Sequence, residues 1–323
     1  MKDVKIVVFF IVVSLFFLTC SSNENKWNID VSTIPVEVKI TRFDLDFYGQ
    51  PKEKLSEIKE KYAFLFPPKV PDSIWHKKMQ DTLFLDLRKQ VDSVYPNLDK
   101  QKIEIANLFK HIKYYFNDFK EPEIITLYSD WNYMRRAVFS DTLLLLTLDN
   151  FLGTENPMYK GIPQYIKQNL TPERMPVEIA KSIIESKVPL PKDKVFLHKM
   201  INEGKKMLLM DAFLPEIPDY KKIGYTKEKF KWAQENEKNI WQYFIDEKLL
   251  YKDNKSLEMR FLNIAPYSKF YSEEDMNSPG QIGIYIGWQI VRSFMQKNKV
   301  SLQQMIQMPE DEIFKLSKYK PKK

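Results

Sequence analysis

The 323-residue sequence contains one cysteine, Cys20, three histidines and eight glycines. A single cysteine excludes an internal disulfide, even in an oxidising compartment. The histidines His76, His111 and His198 are far apart, and no pair has the spacing of metal ligands on one helical turn. Structural roles within amphipathic helices are expected for His111 and His198. With 8 Gly and 19 Pro, a long flexible linker is not expected either. There is no Gly-x-Ser-x-Gly elbow, no Walker loop and no dinucleotide fingerprint. The net charge is +7, but positive and negative residues alternate along most of the chain. No basic stripe with interleaved aromatics appears, so no nucleic-acid partner is expected. The basic tail Lys315 to Lys323 is taken as a solvated end.

The position of the cysteine is informative. It follows a short charged start (Lys2, Asp3, Lys5) and an apolar run from Ile6 to Leu18, broken only by Ser14. That run is too short for a helix spanning about 30 Å of hydrocarbon. It matches the apolar region of a secretory signal peptide. After Cys20 the chain turns polar at once. The box Phe17-Leu18-Thr19-Cys20 is that of a bacterial lipoprotein signal, in which the cysteine is acylated and becomes the new N-terminus. Residues 1–19 are therefore expected to be a signal peptide, 20–34 a lipidated polar tether and 35–323 one domain. Each buried acyl CH₂ adds about 0.8 kcal/mol, so several palmitate-like chains on one residue hold a protein on a membrane.

Period-2 alternation over Val36–Gly49 predicts a strand, followed by helices over 52–62, 72–95 and 98–119. Glu123–Trp131 and Asp141–Gly153 are read as strands, the second covered on both faces. Helices are expected over 171–186, 193–211, 226–250 and 279–299, with a short pair after Ser301. The fold class is therefore α+β: a mostly helical single domain with a small N-terminal and central sheet. In the helix over 279–299, Pro279 is placed in the first turn, and Gly283 and Gly287 share a face that another element approaches closely. Arg292 and Lys297 are expected to face water. Phe230, Trp232, Trp241 and Phe244 fit either the core or an exposed partner patch.

One stretch touches on catalysis. Val177-Glu178-Ile179-Ala180-Lys181 has the length of the His-Glu-x-x-His motif, in which two zinc ligands lie one helical turn apart and the glutamate is the general base. Valine has no donor for zinc, and a lysine ammonium repels it. Glu203, in "INEGKK", stands where such enzymes often carry a third, acidic ligand. The pattern is either a degenerate peptidase site or chance. No metal and no cofactor are expected, and Glu178 and Glu203 are expected to be structural or vestigial.

The lipobox, "LDNFLGTENPMYKGIPQYIKQ", "INEGKKMLLMDAFLPEIPDYKKIGYTKEKFKWAQENEKNIWQYFI", "APYSKFYSEEDMNSPGQIGIYIGWQIVRSFM" and the ending "SKYKPKK" together resemble the GldB family of gliding motility lipoproteins of the Bacteroidetes. Some of the same blocks are similar to predicted zinc peptidases that keep the histidine pair. The resemblance implies a pseudoenzyme: a lipid-anchored, periplasm-facing envelope protein required for gliding, with other gliding or secretion proteins as partners. The outer membrane is preferred over the inner. The alternative is an envelope hydrolase using Glu178 and Glu203.

Overall fold

A computed structural model describes residues 26–321. Cys20 and the signal region lie outside the described residues. The first half carries β1 (Ile40–Thr41), α1 (Phe43–Phe47), α2 (Leu55–Lys61), α3 (Asp72–Met79), α4 (Thr82–Val94) and α5 (Asp99–Tyr115). Three strands follow: β2 (Glu123–Leu127), β3 (Ala137–Ser140) and β4 (Leu143–Thr147). Then come α6 (Gln164–Lys167), α7 (Met175–Lys187), α8 (Phe196–Phe213), α9 (Asp219–Ile223), α10 (Lys227–Glu235), α11 (Glu237–Asp246) and α12 (Lys255–Phe261). The last are α13 (Ile282–Lys297), α14 (Leu302–Gln307) and α15 (Glu310–Ser317). The architecture is α+β, as the sequence predicts.

The sheet has the order β1-β2-β4-β3. β1, β2 and β4 run parallel, with Ile40 opposite Ile124 and Ile124 opposite Leu144. β3 returns antiparallel on the edge, Phe139 opposite Leu144. Ile124, Leu144 and Leu146 are buried, whereas Leu143 and Leu145 are half-buried, so one face of β4 is less covered than expected. The expected strand over Val36–Gly49 is reduced to two residues. Phe43 and Phe47 lie four apart and are both buried, a spacing that a helical turn satisfies. The expected helix over 72–95 breaks at Asp81, whose carboxylate caps α4 by accepting from the Leu83 N–H. The helix over 226–250 likewise breaks at Asn236.

One hydrophobic core runs from Phe43 to Ile313 and includes both halves. Residues 26–321 thus hold within themselves the apolar burial that folding requires. The start of this segment is not a free tether. Val31 is buried, Trp27 packs edge-on against Tyr115 at 6.0 Å, and Lys26 Nζ donates to the Met295 carbonyl. Phe244 is buried and Phe230, Trp232 and Trp241 pack against the core, so these aromatics form no exposed patch.

The closest packing is between α8 and α13. A Cβ on Gly287 would lie 1.8 Å from the Met200 carbonyl oxygen, and one on Gly204 would lie 2.2 Å from the Gly287 oxygen. Two helix backbones touch here, and only glycine fits at the crossing. Gly283 faces the same way, against Leu262 and Phe261. Pro279 lies before the helix rather than in its first turn, because Gln281, at φ 60°, turns the chain into α13.

About two turns along α8 from Gly204, the buried Asp211 accepts hydrogen bonds from Trp288 Nε1, Lys222 Nζ and Arg292. Arg292 also reaches Asp219 at 2.7 Å and stacks on Trp288, so it does not face water as expected. Lys297 caps the end of α15 through the Ser317 and Lys318 carbonyls.

Gly287→Leu should therefore destabilise the chain from residue 21 onward by about 3 kcal/mol or more. Thermal melts should show a Tm roughly 5–10 °C below wild type. The exposed Lys89→Ala is the control and should melt with wild type. A Gly287→Leu protein that does the same would show that the helices do not meet at this glycine.

Candidate functional site

The pairing of α7 with α8, and of α8 with α13, leaves a cavity of about 610 Å³. On α7, Glu178, Lys181 and Ile184 face it at i, i+3 and i+6. On α8, Glu203, Lys206, Met207 and Met210 face it at i, i+3, i+4 and i+7. Met134 and Arg136, the segment around Ile166, Lys222 to Thr226 with Lys229, Ile264 to Pro266 and the start of α13 complete the lining.

The structure thus brings Glu178, Lys181 and Glu203 to one cavity. Val177 is not among them: it is fully buried in the core with Ala180 and Ile183. His111 is buried on α5 with Nδ1 on the Asn107 carbonyl, and His198 sits between Asp193 and Asp311. Neither lines the cavity.

Glu178 is held by two arginines that the sequence reading missed. Arg174 Nε donates to Glu178 Oε1 at 2.8 Å, and Arg136 Nη1 donates to the same oxygen at 3.0 Å. Arg174 is fixed in turn by the Lys221 and Lys222 carbonyls, and Arg136 by the Tyr133 carbonyl. Arg174 was detectable, since it precedes Glu178 by four residues, one helical turn. Arg136 precedes β3 in a loop, and nothing local ties it to Glu178. Burial pushes the Glu178 carboxyl up, but Arg174 and Arg136, and then Lys181, overcome this and hold it at about 2. Glu203 is more exposed and pairs with Lys206 at 2.6 Å.

This donor set does not fit zinc. Val177 offers no ligand and turns into the core, Lys181 brings a cation, and Glu178 is already taken by two guanidiniums. Among the described residues, no three His, Cys, Asp or Glu side chains are grouped so as to hold a metal ion. A carboxyl held at about 2 is also a weak proton acceptor near neutral pH, because base strength falls with pKa.

The sequence model of the gliding motility protein GldB matches residues 24–321. The chain belongs to the GldB family. Membership covers all the elements described above and gives the chain a role in gliding motility. No curated protein and no solved structure matches the chain. The cavity, Glu178 and its two arginines all lie within the GldB match.

The Arg136–Glu178–Arg174 contact yields a pH prediction. The folded pKa of Glu178 lies below its ordinary 4.5. Its contribution to stability is therefore fully present above about pH 4.5 and is lost as pH falls through about 2. Glu178→Gln should cost about 2–3 kcal/mol near neutral pH, since it leaves two guanidiniums facing an uncharged partner. Its acid-induced loss of stability should be shallower than wild type. Glu203→Gln should change stability by less than about 0.5 kcal/mol. Urea midpoints measured across that pH range test this. A Glu178→Gln protein as stable as wild type would contradict the ionic role.

Proposed function

We propose that this GldB family protein is a lipid-anchored, non-enzymatic component of the cell envelope, and that its cavity works by being occupied rather than by turning over a substrate. The observation that carries this is the double arginine clamp on Glu178, the one glutamate at the position of a peptidase general base. The clamp keeps the carboxylate charged and geometrically fixed, which suits a structural wall better than a proton shuttle. The placement of Glu178 and Glu203 on adjacent helices around one cavity supports descent of the scaffold from a peptidase.

The alternative, an envelope hydrolase using Glu178 and Glu203, draws on that same placement. Two carboxylates can act as acid and base when their pKa values are driven apart. It is the weaker reading, because Glu178 is depressed and Glu203 is neutralised by Lys206.

Anchoring is proposed through palmitate-like acyl chains on Cys20, with the domain facing the periplasm and the outer membrane preferred. None of the described helices is long and apolar enough to cross a membrane. Other gliding or secretion proteins are the proposed partners.

Two experiments test the proposal. Cys20→Ala should abolish labelling by a clickable palmitate, and label that persists would remove the anchor from the account. For the cavity, Ile166→Trp combined with Ile264→Trp adds bulk at two partly exposed lining positions. Cells carrying this variant should stop gliding while keeping wild-type protein levels and localisation. Normal gliding would show that the cavity is not the working site.

A further inference from the structure

We propose that the cavity binds a small anionic amphiphile: a single acyl-type chain ending in a carboxylate, with Lys181 as the head-group cation. This rests on reading the cavity as a binding site.

The first argument is charge. Arg136 and Arg174 share one carboxylate, which leaves one positive charge on that cluster. Lys206 is balanced by Glu203. Lys222 is neutralised by Asp211 and Asp219 below the wall. Lys229 donates to the Met276, Asn277 and Ser278 carbonyls, which hold it in place without cancelling its charge. Lys181 is exposed on the lining, and among the described residues its ammonium has no hydrogen bond or ion pair. The wall is therefore cationic overall, with one ammonium available.

The second argument concerns which polar groups are spent. Gln168 and Asn169 both direct their amide N–H groups to the Gly224 carbonyl, and Gln281 directs its own to the Leu262 carbonyl. A peptide would bring a backbone N–H and C=O at every residue, and burying these unpaired is costly. Besides Gln164, Tyr165 and Thr226, the remaining lining is mainly apolar, with Ile166, Ile184, Met207, Met210, Ile264 and Ile284. An apolar chain asks for nothing else, and each buried CH₂ contributes about 0.8 kcal/mol. The volume, about 610 Å³, lies within the usual range for small-ligand sites. Methionines add adaptable walls for a flexible chain.

The test is a fluorescence titration of dansyl-labelled undecanoate into the chain from residue 21 onward. Saturable binding is expected, displaced by dodecanoate but not by acetate. Dodecanoate methyl ester and trileucine should displace at least about tenfold less well, the first for want of charge and the second for its backbone. Lys181→Gln should weaken binding about tenfold, Lys181→Arg should retain it, and Lys89→Gln should leave it unchanged. No saturable binding to wild type, or equal binding by Lys181→Gln, would overturn the proposal. So would an ester as effective as the acid. Trileucine as effective as dodecanoate would replace the acyl ligand with a peptide and equally overturn it. The gliding assay with the cavity-filling variant does not depend on this probe, so the two readings fail separately.

Discussion

The contact of two helix backbones at Gly204 and Gly287 is the constraint on which the rest of the structure depends. With the α8 and α13 axes brought this close, the side chains of α8 are committed to fixed directions. Met200 meets α13, and Glu203, Lys206, Met207 and Met210 are turned to the cavity. Asp211, about two turns past Gly204, is locked by Trp288 and Arg292 from α13 and by Lys222 from α9. Lys222 lines both this cavity and a second, more polar one of about 580 Å³ beside Lys26 and Trp27. A change at the glycine crossing would therefore disturb the cavity wall, the buried ion network and the seat of the N-terminal segment together.

Electrostatics then separate holding a ligand from reacting with one. Glu178, which a His-Glu-x-x-His-like spacing singles out, lacks the environment of a general base. A useful base needs a pKa near the working pH, and two guanidiniums drive this one in the opposite direction. The same guanidiniums leave the wall positive. An arrangement that weakens base catalysis thus favours an anion, and the aliphatic walls favour an apolar body attached to it.

Much of the fold was legible in the sequence, for reasons visible in particular residues. Glycine spacing within an otherwise apolar helix marked the close-packed face of α13, though not α8 as its partner, because glycine inside a helix is unfavourable unless something packs on it. The Leu143–Leu146 run marked a central strand. The errors arose where one residue outweighed a pattern: Asp81 split a helix by capping, and Phe43 with Phe47 turned an alternating segment into a helical turn. Ion pairing was the least legible layer. Arg292 has the hydrophilic look of a solvated face, yet its carboxylate partners Asp211 and Asp219 lie on other elements, whereas Lys297 is exposed as expected. Glu178 and Glu203 were found through a degenerate motif, whereas Arg136 comes from a loop 42 residues away in sequence. Only the folded chain shows that it belongs to the site.

The central claim is that the cavity acts by occupancy. Native mass spectrometry of the protein purified from gliding cells tests it most directly. The account predicts a non-covalent, acidic small-molecule adduct on the wild-type chain that is depleted in Lys181→Gln. The bare lipidated mass alone, identical in both proteins, would contradict it.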